Sequence, residues 1–144
     1  MAYLTKDQLK TVITIETLDL ITNKDDDTIE TIIKENISVM NTYLGSYYDM
    51  SEEFAKTGDE RDLTVVKYLK ALVAHDIPKR RKKPVSREAD TDYNEAMNWL
   101  EKIASGEMKA NLPPKKKDTN GDGIPDTNVP FLKLGGRKSY KNNW

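Results

Sequence analysis

Apolar residues recur at three- and four-residue spacing in three stretches of the chain, the signature of amphipathic helices. The first runs through NKDDDTIETIIKENISVMNTYL. There Ile29, Ile32, Ile33, Ile37, Met40 and Leu44 make one stripe over four turns. Asp27 is its expected N-cap, with Glu30 three residues on as the return half of a capping box, and the three aspartates suit the positive end of the helix dipole. The second stretch, DERDLTVVKYLKALVAHDI, places Leu63, Val66, Leu69, Leu72 and Val73 on one face, and Ala71 and Ala74 allow a neighbour to approach closely. Pro78 is expected to stop it, because proline disfavours helix in the residue before it. The third begins at a Ser86 cap. It carries Tyr93, Ala96, Met97, Leu100 and Ile103 inward, with Trp99 beside them, and Gly106 marks its end.

Two shorter helices are predicted ahead of these. Thr5 and Gln8 form a capping-box pattern that opens KDQLKTV, with Leu9 and Val12 apolar. TIETLDLIT then points Ile15, Leu18, Leu20 and Ile21 inward. The polar stretch SEEFAKTGDERD reads as a loop holding at most one helical turn. Beyond Leu112 the helical period vanishes. The segment PPKKKDTNGDGIPDTNVPFLKLGGRKSYKNNW is rich in proline and glycine. The expectation is an all-α domain over residues 1–112, of three long and two short helices. An extended C-terminal arm over 113–144 follows, with a hairpin or added strand around VPFLKL.

Charge sharpens this picture. The 144 residues are 33% charged with a formal net charge of −1. Residues 1–62 hold 14 acidic against 6 basic side chains, and residues 63–144 hold 10 against 17. A polar subunit of this kind can stack head to tail, and a closed ring is one outcome. Five consecutive cations, Lys79, Arg80, Arg81, Lys82 and Lys83, form the densest basic run. They read either as a solvated loop or as a contact for a phosphate backbone or an acidic protein face. No aromatics are interleaved for base stacking, which argues against sequence-specific reading.

Catalytic chemistry finds little support. Cysteine is absent and His75 is the single histidine, so thiolate sites, His-cluster metal sites and a Ser/His triad are not expected. His75 beside Asp76 reads as a favourable charge near a helix end, and the expectation is not an enzyme. No apolar run approaches a membrane span, and the opening MAYLTKDQLK lacks the apolar stretch of a signal peptide. One loop invites a metal. In DTNGDGIPD, Asp118, Asn120, Asp122 and Asp126 stand at the alternating offsets of a calcium loop around Gly123. Position 12 is Val129 rather than the bidentate glutamate, and no helical pattern flanks the loop, so an EF-hand is excluded. A lone calcium loop and a plain Asp/Asn/Gly turn both remain open. In the arm, Phe131, Leu132, Leu134, Tyr140 and Trp144 are the candidate interface anchors.

The order of segments resembles the Mu-like head-to-tail connector (head completion) proteins of tailed bacteriophages over about residues 1–112. The resemblance rests on Tyr3, Leu4 and Thr5 at the start, on Tyr43 and Leu44 after the first stripe, and on Ala74, Asp76 and Ile77. A third block holds Tyr93, Ala96, Trp99, Leu100, Ile103, Ala104 and Gly106. It implies a helical subunit of a homo-oligomeric ring, commonly of twelve copies, at the neck of the virion. Such a ring lies between the portal protein and the next neck or tail component, with genomic DNA passing through its lumen unread. A nucleic-acid-binding regulator using residues 79–83 and a calcium-binding scaffolding module are the alternatives.

Overall fold

The structure is a computed structural model that describes residues 2–117 and 127–128. A 3-10 turn over Lys6–Thr11 leads into α1 (Ile15–Thr22), α2 (Asp26–Leu44), α3 (Met50–Phe54), a second 3-10 turn at Gly58–Glu60, α4 (Leu63–Arg80) and α5 (Arg87–Ala104). Three long helices carry the all-α domain, as their periodicity predicts. A two-residue antiparallel pair, β1 (Lys116–Lys117) with β2 (Thr127–Asn128), follows. It lies just before VPFLKL, which falls outside the described residues together with Asp118, Asn120, Asp122, Asp126, Phe131, Leu132, Leu134, Tyr140 and Trp144.

Helix α4 is the axis of the domain. Val65, Val66, Leu69, Ala71, Leu72, Val73, Ala74, Ile77 and Pro78 are all buried, so apolar contacts surround it rather than lining one face. Helices α2 and α5 run antiparallel to it and also pack against each other, with α1 in contact with both α2 and α4. Both outer helices present one stripe inward: Ile29, Ile32, Ile33, Met40 and Leu44 from α2, and Ala96, Trp99, Leu100 and Ile103 from α5. Tyr68 and Trp99 stack at 4.7 Å between α4 and α5.

Several local expectations are corrected. The first turn is 3-10 rather than α, and Val12 is exposed while Leu9 is buried. Its β-branched continuation, TVITI, resists a longer helix. Leu20 faces solvent at 78% exposure, while Leu18 and Thr22 of α1 are buried and Ile15 and Ile21 pack against the core half-buried. Leu63 is likewise 77% exposed, as the first residue of α4 lies ahead of the packed region. Asp25, not Asp27, caps α2 and accepts the Thr28 N–H at 3.2 Å. Placing the cap there turns Ile29 fully inward. The expected stop after α5 is present: Gly106 takes φ +81°, and the Glu107 N–H reaches back to the Lys102 carbonyl at 2.9 Å.

A fully buried carboxylate ties the N-terminal segment to the rest. Glu53 of α3 accepts from the Tyr3 hydroxyl at 2.9 Å, from Lys56 Nζ at 2.8 Å and from the Asp62 backbone N–H at 2.7 Å. Asp62 in turn caps α4 by accepting from Thr64 and Val65. Arg61 crosses to the Tyr3 carbonyl at 2.5 Å and Gln8 at 3.0 Å. Burial works to raise the Glu53 pKa, but hydrogen bonds from Lys56, Asp62 and Tyr3 outweigh it and hold the group below its ordinary value of 4.5. Burial and the Glu53 carboxylate together push the Tyr3 hydroxyl well above its ordinary 10.

Glu53→Ala leaves three donors without an acceptor, and a loss of about 3–5 kcal/mol is expected in urea unfolding. A carboxyl with a depressed folded pKa stabilises above its unfolded value and loses that contribution as pH falls through the folded one. Wild-type stability therefore drops as pH falls below about 4.5, and Glu53→Gln removes that part of the drop. Unfolding curves of both proteins across this range check the prediction.

Candidate functional site

The basic run predicted as a loop after Pro78 is built differently. Pro78 does not stop α4; it is buried inside the last turn, and the helix continues to Arg80. Proline has no N–H to donate to the Ala74 carbonyl four residues back, and the burial of Ile77 and Pro78 helps to offset that loss. The end then closes by other bonds. The Arg81 N–H bonds the Pro78 carbonyl at 3.2 Å, Lys82 bonds Lys79 at 3.2 Å, and Lys83 returns to Pro78 at 2.9 Å. Lys82 takes φ +53°, the left-handed position that usually ends such a turn. Ser86 caps α5 through the Ala89 N–H at 3.1 Å, as its position in the sequence predicts. The corner between α4 and α5 is thus fixed from both sides.

Within this corner the fold sorts the cations by type. Arg80 pairs with Glu35 of α2 and, at 3.4 Å, with Asp76 one turn earlier. The same Asp76 carboxylate accepts from Asn36 at 3.2 Å, so α2 and α4 are stitched by four polar side chains. The Glu35 hydrogen bond and the Asp76 charge raise the Arg80 pKa above its ordinary value. Arg81 reaches the start of α2, with Nη2 at 3.3 Å from Asp25, 3.4 Å from Thr28 and 3.5 Å from the Thr22 carbonyl. Asp25 is held below the usual carboxylate range, first by Thr28 and with help from Arg81. Lys79, Lys82 and Lys83 are exposed and make no ion pair among the described residues. Arg87, in the first turn of α5, is also exposed and unpaired.

His75 lies well inside α4 rather than at its end. It is nearly buried, stacks on Tyr93 at 4.0 Å, and approaches Asp90 of α5 through Nε2 at 3.2 Å. The cavity beside it, about 190 Å³, is lined by Asn36, Val39, Leu72, Asp76, Lys79, Tyr93 and Met97. That volume is below the usual range of small-molecule sites. Among the described residues no group of three or more His, Cys, Asp or Glu could hold a metal ion. Likewise, no helix there is long and apolar enough to cross a membrane.

The second feature is the base of the arm. The Asp49 N–H donates to the Pro113 carbonyl at 2.8 Å and the Lys115 N–H to the Tyr47 carbonyl at 3.1 Å, a short bridge between Tyr48 and Pro114. Ala110 N–H donates to the Tyr48 hydroxyl at 2.9 Å, and Lys115 Nζ reaches the Gly45 carbonyl at 3.1 Å. A side chain at Gly45 would bring its Cβ to 2.6 Å from the Asn41 carbonyl oxygen, so glycine is needed where α2 gives way to this attachment. The sequence does not reveal this attachment. Backbone pairing leaves no mark in the side-chain pattern.

The sorted corner predicts unequal effects on stability. Arg80→Ala and Arg81→Ala are each expected to cost up to about 1 kcal/mol, less at high salt, as for partly exposed ion pairs. Lys79→Gln, Lys82→Gln and Lys83→Gln are expected to stay within about 0.5 kcal/mol of wild type. Urea titrations at two salt concentrations check both.

Comparison with known proteins adds the remaining constraint. A profile of the family described as Bacteriophage Mu, Gp36 matches residues 3–126, the whole helical domain and the first part of the arm, including the aspartate loop. Neither the curated proteins nor the solved structures contain a match. With most of its length covered, this chain belongs to the bacteriophage Mu Gp36 family and is a phage protein.

Proposed function

We propose that the chain is a structural virion protein, a subunit of the head-to-tail connector that assembles as a ring between portal and tail components. The observation that carries this reading is the family match from residue 3 to residue 126, which spans the domain and the root of the arm together. The architecture supports a role in assembly rather than catalysis. Three long helices packed round one axis fix the subunit shape. The arm leaves from a point clamped by backbone hydrogen bonds to the connection between α2 and α3. A chain with a rigid body and a fixed exit for an extension can reach a neighbour while holding its own position in a ring.

In this reading the domain sets subunit spacing, and the arm, with Phe131, Leu132, Leu134, Tyr140 and Trp144 as its apolar anchors, docks on the portal or the adjacent subunit. The purified chain, mixed with portal rings of the same phage and imaged at low resolution, is expected to add an annulus to the tail-side face of the portal. Truncation after residue 128 is expected to abolish that addition while leaving the helical content unchanged. A chain that neither binds portal rings nor forms rings, or that labels elsewhere than the neck in whole virions, overturns the reading.

A further inference from the structure

We infer that Lys79, Lys82, Lys83 and Arg87 form a contact surface for a nucleic-acid phosphate backbone, one that binds without reading sequence. It rests on the geometry of the α4–α5 corner and holds whatever the neighbours of the subunit are.

The sequence shows only a dense basic run; the fold separates it into two functions. Arg80 and Arg81 are taken up by Glu35, Asp76 and Asp25, where their planar forks suit carboxylate pairing. This also removes from play the acidic side chains that would otherwise neutralise the corner. Asp90, in the first turn of α5, faces His75. Glu88 and Asp92 share a surface hollow with Arg87, exposed and without an ion pair among the described residues. The four remaining cations are exposed and make no ion pair among the described residues. They occupy the last turn of α4, the connecting loop and the first turn of α5, so they share one end of a helical hairpin.

The chemistry of this surface favours phosphate over a protein face. Protein interfaces gather aromatic and apolar side chains at their centre and are depleted in lysine. Here the large exposed apolar residues, Val12, Leu20, Val39, Leu63 and Met108, all lie outside residues 79–87. Lysine ammoniums act as mobile point charges suited to phosphate oxygens. No aromatic side chain in residues 79–87 offers a stacking platform. The corner itself is fixed by the Lys83 return bond, the Ser86 cap and the two arginine pairs, so little backbone ordering is required on contact.

The test is binding of the full-length protein to a fluorescent duplex of arbitrary sequence, followed by anisotropy from about 20 to 200 mM salt. Each neutralised phosphate contributes about −0.9 to the slope of log affinity against log salt, so four cations set a limit of about −3.6. The triple variant Lys79→Gln, Lys82→Gln, Lys83→Gln is expected to bind more weakly and to lose up to about 2.7 of that slope, in proportion to the contacts removed. The double variant Lys10→Gln, Lys34→Gln, on exposed surface elsewhere, is expected to leave it unchanged. Duplexes of different sequence are expected to bind alike. Absence of duplex binding at the lowest salt, an unchanged slope in the triple variant, or equal binding to poly-glutamate of matched charge each overturns the inference; the last points to an acidic protein partner. Thermal melts of each variant confirm that the fold is intact.

Discussion

Burial of α4 on nearly every side is the constraint from which the rest of the structure follows. A helix with apolar residues all round cannot lie on a surface. Its neighbours must supply the walls, and α2 and α5 do so with stripes cut to that purpose. Both walls run antiparallel to the axis. The start of α2 and the start of α5 therefore meet the end of α4, and the basic run emerges where the acidic cap of α2 already stands. The ion pairs of Arg80 and Arg81 are a result of this arrangement rather than its cause, since partly exposed pairs contribute little on their own.

The same arrangement changes the meaning of the charge asymmetry. Along the sequence the acidic and basic halves look like two ends of a polar object. In space, Asp25 and Glu35 from the first half lie against Arg81 and Arg80 from the second, and Lys115 lies against the end of α2. Part of the imbalance is thus cancelled inside the subunit. The charge that remains for outside partners is carried by particular side chains, and linear counting does not identify them.

Much of the domain was legible from periodicity alone. Helices α2 and α5 each bury one face, so the spacing of their apolar residues maps onto burial almost residue by residue. The same reasoning misreads α4. A stripe through Leu63 and Val66 looks continuous, yet Leu63 lies beyond the packing, and Val65 is buried on another side. Pro78 misleads for another reason: its rule disfavours helix in the residue before it, but Ile77 and Pro78 are both buried here, and that packing helps hold the last turn together. Glu53 was illegible because its role depends on three donors brought from residues 3, 56 and 62. In sequence it is one acid among several in a polar stretch. The candidate surface was visible as a cluster of charge, but the division between clamping arginines and free lysines required the partners on α2.

The attachment of the arm at Tyr48 and Pro114 carries a different kind of consequence. Two of the bonds described there join main-chain groups, and main-chain groups are the same whichever side chains accompany them; two others use the Tyr48 hydroxyl and the Lys115 amine. Substitution at other positions along this joint therefore leaves the main-chain bonds in place, Gly45, Tyr48 and Lys115 apart. A lineage that meets a new neighbour can rewrite the extension beyond the joint while inheriting the body unaltered. The joint makes the two parts separable in evolution even though they are fastened together in the molecule.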